Sequence, residues 1–129
     1  MASSESGINF TLTEDDDLNC VIFQGCDVYF ALVFNDDNEE PVDVTGWEAW
    51  MVLRKRAKTD NSVAEFTIDN GRVTIGSTDG KIEFSMSEED SAALEACDGV
   101  YDIRVKNADG FRWQAQSGQF TITREISRQ

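Results

Sequence analysis

The sequence predicts an all-β protein, an antiparallel sandwich or barrel. Three observations carry this. Apolar residues recur at every second position along most of the chain, turn signals interrupt the alternation about every ten residues, and a single stretch departs from the pattern. Alternation with period two marks a half-buried strand, because successive side chains leave opposite faces of the pleat.

Taken in order, residues 1–7 (MASSESG) are small and polar and read as a loose tail, leaving 8–129 as one domain. Ile8, Phe10 and Leu12 alternate with polar residues and lead to an acidic turn at Glu14 to Asp17. Val21 and Phe23 lead to a break at Gly25. Val28, Phe30, Leu32 and Phe34 share one face of the next strand, which the polar cluster NDDNEEP closes. Trp47, Ala49, Met51 and Leu53 share a face of the returning strand, and Ala64, Phe66 and Ile68 mark another. DNG at Asp69 to Gly71 reads as a tight hairpin turn into Val73 and Ile75, and TDGK at Thr78 to Lys81 as a second one before Ile82, Phe84 and Met86.

The exception is SEEDSAALEACDG. Ser87 is suited to cap a helix whose first turn holds Glu88, Glu89 and Asp90 against the positive end of the helix dipole, and Gly99 to end it soon after. One short crossover helix over about 87–96 is expected. Beyond it Tyr101, Ile103 and Val105 alternate with charged residues, and NADG turns the chain. Phe111, Trp113 and Ala115 keep a parity that Phe120 and Ile122 do not, so a β-bulge is expected around Gln116 to Gly118.

With 129 residues the chain has the length of one domain that buries roughly two thirds of its unfolded surface. Its formal net charge of −14 repels phosphate backbones and anionic lipid headgroups, which argues against direct nucleic-acid or membrane partners and favours a basic surface. Cys20, Cys26 and Cys97 are three in number with no CxxC pair, and there is no histidine. That set offers no zinc spacing and fits reduced thiols in a protein made in a cytoplasm. MASSESGINF lacks a basic and an apolar signal region, and no run approaches the ~20 apolar residues of a membrane span, so neither export by a signal peptide nor a membrane helix is expected.

Catalysis is not expected either. Without histidine there is no Ser-His or Cys-His nucleophile pair, and the carboxylates fall in turns and at outward positions. The run Asp36, Asp37, Asn38, Glu39, Glu40 and Asp43 invites a calcium loop. Counted as an EF-hand it lacks the glycine at its sixth position and has Trp47 at its twelfth, so it reads as a solvated connection. No cofactor and no metal are assigned.

One feature points to function. If Asp27 to Phe34 and Trp47 to Arg54 are antiparallel neighbours, pairing Leu32 with Ala49, Phe30 with Met51 and Val28 with Leu53 turns all six inward. The same register sets Val33 by Glu48, Ala31 by Trp50 and Tyr29 by Val52, an outward patch that is also apolar. Either the segment Ile8 to Phe23 covers it, or Tyr29, Ala31, Val33, Trp50 and Val52 form a partner interface.

From about Val21 to Arg124 the chain also resembles a family of small phage and prophage virion-associated proteins and, more distantly, the N-terminal domain of phage baseplate upper proteins. The resemblance rests on VIFQGCDVYFALVFNDDNEEPVDVTGW, similar to a family pattern of a Gly-Asp opening strand, an acidic hairpin and Pro-hydrophobic-Asp-Leu-Thr-Gly-aromatic. It continues in GVYDIRV, NADG and SGQFTITREI. The chain departs from the pattern at Val44, where leucine is usual, at Cys26, and at Trp50 and Val52, where polar residues are usual. The resemblance implies an immunoglobulin-like β-sandwich in a virion, assembled in the host bacterial cytoplasm with other phage structural proteins or further copies of itself. A tail, baseplate or fibre-attachment part is the first expectation. A capsid decoration protein on the outside of the head is the alternative.

Overall fold

The computed structural model describes residues 8–12, 18–55 and 62–124. The expected tail at 1–7 and the acidic turn at Glu14 to Asp17 lie outside the described residues. Among the described residues, nine strands and one short helix follow in the order β1 (Ile8–Leu12), β2 (Leu18–Phe23), β3 (Val28–Val33), β4 (Glu48–Arg54), β5 (Ser62–Phe66), β6 (Val73–Ile75), β7 (Lys81–Met86), α1 (Glu88–Ala92), β8 (Cys97–Lys106) and β9 (Arg112–Thr123). They form a six-stranded sheet, β1-β2-β9-β8-β4-β5, and a three-stranded sheet, β3-β7-β6. The protein is an all-β sandwich. Its pairings are antiparallel except for β2 with β9, which run parallel from Cys20 beside Phe120 to Phe23 beside Thr123.

The inward parity of β3 and β4 is as the sequence predicts: Val28, Phe30, Ala49, Met51 and Leu53 are all buried, with Leu32, Phe34 and Trp47 packed against them. Their adjacency is not. β3 pairs with β7, setting Val28 by Met86, Phe30 by Phe84 and Leu32 by Ile82, whereas β4 lies between β8 and β5, with Met51 beside Ile103 and Phe66. The two strands face each other across the core. Each has one strongly apolar face, and opposing those faces removes both from water at once, which lying side by side would not do. Phe30 makes the junction. It stacks on Phe84 of its own sheet with centroids 4.7 Å apart and meets Phe66 of the other sheet edge-on at 6.3 Å.

The connection over residues 34–47 carries the chain between sheets. Val42 N and Val44 N donate to Phe34 O and Ser77 O, Val44 is fully buried, and Gly46 takes φ +84°. Gly80, at φ +69°, lies against this connection. A β-carbon there would meet Phe34 O at 2.5 Å, so only glycine fits both the turn and the contact.

DNG at Asp69 to Gly71 is a turn, as expected, with Gly71 N donating to Ile68 O. It does not close a hairpin, because β5 belongs to the large sheet and β6 to the small one, and Ile68 is 44% exposed in the crossing instead of extending β5. TDGK and NADG do join paired strands, β6 with β7 and β8 with β9. The bulge falls at Ala115. Ile103 is opposite Gln116 while Arg104 is opposite Gln114, one residue before the predicted window. In β2 the buried residues are Cys20 and Ile22, with Val21 and Phe23 on the half-buried outer side.

The helix starts as predicted, with Ser87 Oγ accepting a hydrogen bond from Asp90 N at 3.2 Å and Glu88, Glu89 and Asp90 in its first turn. It ends at Ala92, short of the expected 96, because Cys97 already begins β8 beside Ile122. Ser91 anchors it by donating to Cys26 O at 2.7 Å from a fully buried position. Gly99 does not cap the helix but sits within β8 opposite Phe120.

Candidate functional site: outward aromatic surfaces

The predicted five-residue patch is split by the fold. Tyr29, Ala31 and Val33 lie on the outer face of the small sheet, beside Ser85, Glu83 and Lys81. Trp50 and Val52 lie on the outer face of the large sheet, beside Arg104 and Asp102. The two faces look away from each other across the sandwich, so one flat partner cannot cover both groups. The reason is the crossing at 34–47: side-chain parity is preserved through it, and neighbourhood is not. The alternative in which Ile8 to Phe23 covers the patch also fails for its β4 half, since β9 and β8 stand between β2 and β4.

On the small sheet the outward residues are partly occupied at home. Tyr29 Oη donates to Glu83 Oε2 at 2.7 Å, Ala31 is buried, and Val33 is the exposed one at 48%. A phenol held by a neighbouring carboxylate leaves a small apolar area around Val33.

The outer face of the large sheet offers more. Trp50 and Val52 are half-buried on a strand flanked on one side by Arg104 and Asp102, which pair with each other at 3.4 Å. On the other side Val52 lies beside Glu65 of β5. Next to Trp50 an open groove of about 410 Å³ is lined by Glu48, Ala49, Trp50, Thr67, Ile68 and Asp69. Its far wall is the turn after β5. That wall is braced, because Thr67 N donates to Asn70 Oδ1 at 3.0 Å while Asn70 N donates back to Thr67 Oγ1 at 3.0 Å. The groove therefore combines an indole, an exposed isoleucine and two carboxylates on a fixed frame.

A second apolar surface, not singled out by sequence, lies at one end of the sandwich. Phe34, Trp47, Trp113 and Phe111 form a row with successive ring centroids 5.4, 5.5 and 5.8 Å apart. It starts at the core and ends in solvent at Phe111, which is 65% exposed. Phe111 has the core parity of Trp113, which is why alternation reads it as internal. It follows the NADG turn directly and projects past the end of the sheet. The signal available in the sequence was that position, one residue outside the strand.

The loops around this end are ordered by their own carboxylates. Asp36 Oδ1 accepts from Asn38 N and Glu40 N. The Thr45 hydroxyl and amide donated to Asp43 hold its carboxyl below the ordinary value, and amides of Lys81 and Ser77 do the same for Asp79. The run Asp36 to Asp43 thus spends acceptors on turn geometry, and among the described residues no three Asp, Glu or Cys side chains converge as metal ligands. Of the thiols, Cys97 is made a weaker acid, chiefly by burial and then by the neighbouring Glu95 carboxylate. The sequence matches no protein-family model and no curated protein.

Proposed function

We propose that this chain is a non-enzymatic structural component of a bacteriophage virion, a tail, baseplate or fibre-attachment part that assembles through its sheet faces and edges. The virion assignment is supported by the resemblance of VIFQGCDVYFALVFNDDNEEPVDVTGW, GVYDIRV and SGQFTITREI to small virion-associated proteins, and the immunoglobulin-like character of the sandwich belongs to the same reading. The observation that carries the docking role is the outer face of the large sheet, where Trp50 and Val52 stand outward on β4 with no strand of the described residues laid over them. Large apolar side chains gathered on a sheet face, in a chain of this charge, are what a neighbouring subunit buries. A capsid decoration protein would use such a face too, but in hundreds of copies per particle, so copy number separates the two sites of assembly.

The test is a Trp50→Ala variant. Its unfolding free energy in urea should stay within about 1 kcal/mol of the parent's, as for a half-exposed position, while its incorporation into particles falls about thirtyfold, since a central interface tryptophan contributes on the order of 2 kcal/mol. A variant that unfolds readily when purified, or one that is incorporated like the parent, contradicts the docking role of this face.

A further inference from the structure

We propose that the groove beside Trp50 receives a cationic side chain, an arginine or a lysine, presented by a docked protein. The inference rests on the reading of this face as a docking surface and adds the chemistry of what docks there.

Three features of the groove select a cation. The Trp50 indole supplies a ring with a negative face, the best side chain for holding a cation by its quadrupole. Glu48 and Asp69 supply a carboxylate from each side, Glu48 from the start of β4 and Asp69 from the turn after β5. Neither has a salt-bridge or hydrogen-bond partner among the described residues, where the ion pairs are Lys55–Glu95, Arg72–Asp90 and Arg104–Asp102. Among the described residues, the chain's own cations on this face are Arg104 and Lys106 on β8 and Arg112 on β9, on the opposite side of β4 from the groove, and Arg54 at the far end of β4; Lys106 stands opposite Glu48 in register, but none of the four lines the groove. Ile68, 44% exposed, gives an apolar lip against which the methylene stem of an incoming side chain packs.

The net charge of −14 points the same way for the partner as a whole. A second copy of this chain brings the same excess of negative charge toward Glu48 and Asp69, whereas a basic protein surface is drawn in. The braced Thr67–Asn70 turn keeps the site formed before binding, so little ordering is lost when it fills. Arginine fits best, because a planar guanidinium stacks on the indole while its edges donate to the two carboxylates.

The experiment is a titration of the isotopically labelled protein with acetyl-Gly-Arg-Gly-amide and with its citrulline counterpart, which keeps the shape and removes the charge. The Trp50 indole N–H resonance should shift with the arginine peptide and saturate at concentrations about fivefold lower than with citrulline, the combined effect of a ring and two exposed carboxylates. The double variant Glu48→Gln/Asp69→Asn, which alters exposed side chains and keeps the fold, should reduce arginine binding to the citrulline level. Glu88→Gln/Glu89→Gln, which removes the same charge at the helix, should change it less than about twofold by long-range screening. Equal binding of citrulline, or equal loss in the helix variant, overturns the proposal. Concentration-dependent change of the Trp50 signal without any peptide also overturns it, by showing a second copy in the groove. The peptide result is independent of particle incorporation: a groove that ignores arginine while Trp50→Ala still fails to incorporate leaves the docking face standing and removes only its cationic ligand.

Discussion

A Phe30→Ala variant should lose about 3–5 kcal/mol of folding stability, a large share of the 5–15 kcal/mol that holds a domain of this kind together. Phe30 is 1% exposed and touches both sheets, stacked on Phe84 and edge-on to Phe66. The site is poorly able to collapse on the vacated volume. β3 is held to β7 over six paired residues and β5 to β4 on the other side, so closing the cavity would require two hydrogen-bonded ladders to shift toward each other. The cost is therefore transfer of the ring plus the cavity it leaves. Urea unfolding followed by tryptophan fluorescence should show a lower midpoint with an unchanged slope. A loss under about 1 kcal/mol would mean that Phe30 does not bridge the sheets.

Gly99→Val should be comparably damaging, at about 3 kcal/mol or more, for the opposite reason. A β-carbon at this position runs into the Arg54 carbonyl oxygen and lies 2.6 Å from Phe120 Cε2. The oxygen is backbone, fixed by the β4 ladder next to Val100, so it has no rotamer with which to yield. The same substitution class at Gly71 is a useful reference: φ is +80° there but open space surrounds the position, so Gly71→Ala should cost only about 1 kcal/mol of backbone strain. Equal midpoints for the two variants would contradict the close approach of β8 to β4.

Gly99 also shows what the sequence could and could not convey. As a residue type it is a sound helix terminator after Ser87, and the N-terminal half of that reading holds, with the cap and the acidic first turn in place. Nothing local reveals that the glycine is required by a neighbouring strand, because the atoms it would strike lie 45 residues earlier and 21 residues later in the chain. Most of the strands were legible for the converse reason. The alternation in β3, β4 and β8 records which face meets the core, a property of each strand by itself. The bulge was legible too, since a change of parity between Trp113 and Phe120 needs an extra residue wherever it sits.

Adjacency was not legible. The connection at 34–47 reads as a polar link between two neighbouring strands, yet Val44 packs into the core and the chain crosses to the other sheet. DNG behaves alike between β5 and β6. Turn chemistry fixes local backbone angles, while the choice between pairing and facing is made by burial summed over both sheets. The candidate site inherited that error. Trp50 and Val52 were correctly placed as outward, but they were grouped with Tyr29, Ala31 and Val33, which belong to the other side of the molecule. Their real neighbours, Ile68 and Asp69, come from a turn that was read as part of a hairpin.

The claim on which the functional account turns is that the outer face of the large sheet is a docking surface. Cryo-electron microscopy of assembled particles tests it most directly. The account predicts density of a neighbouring protein packed against Trp50 and Val52, with a basic side chain entering between Glu48 and Asp69. A map in which Trp50 faces open solvent in every copy of the subunit would contradict it.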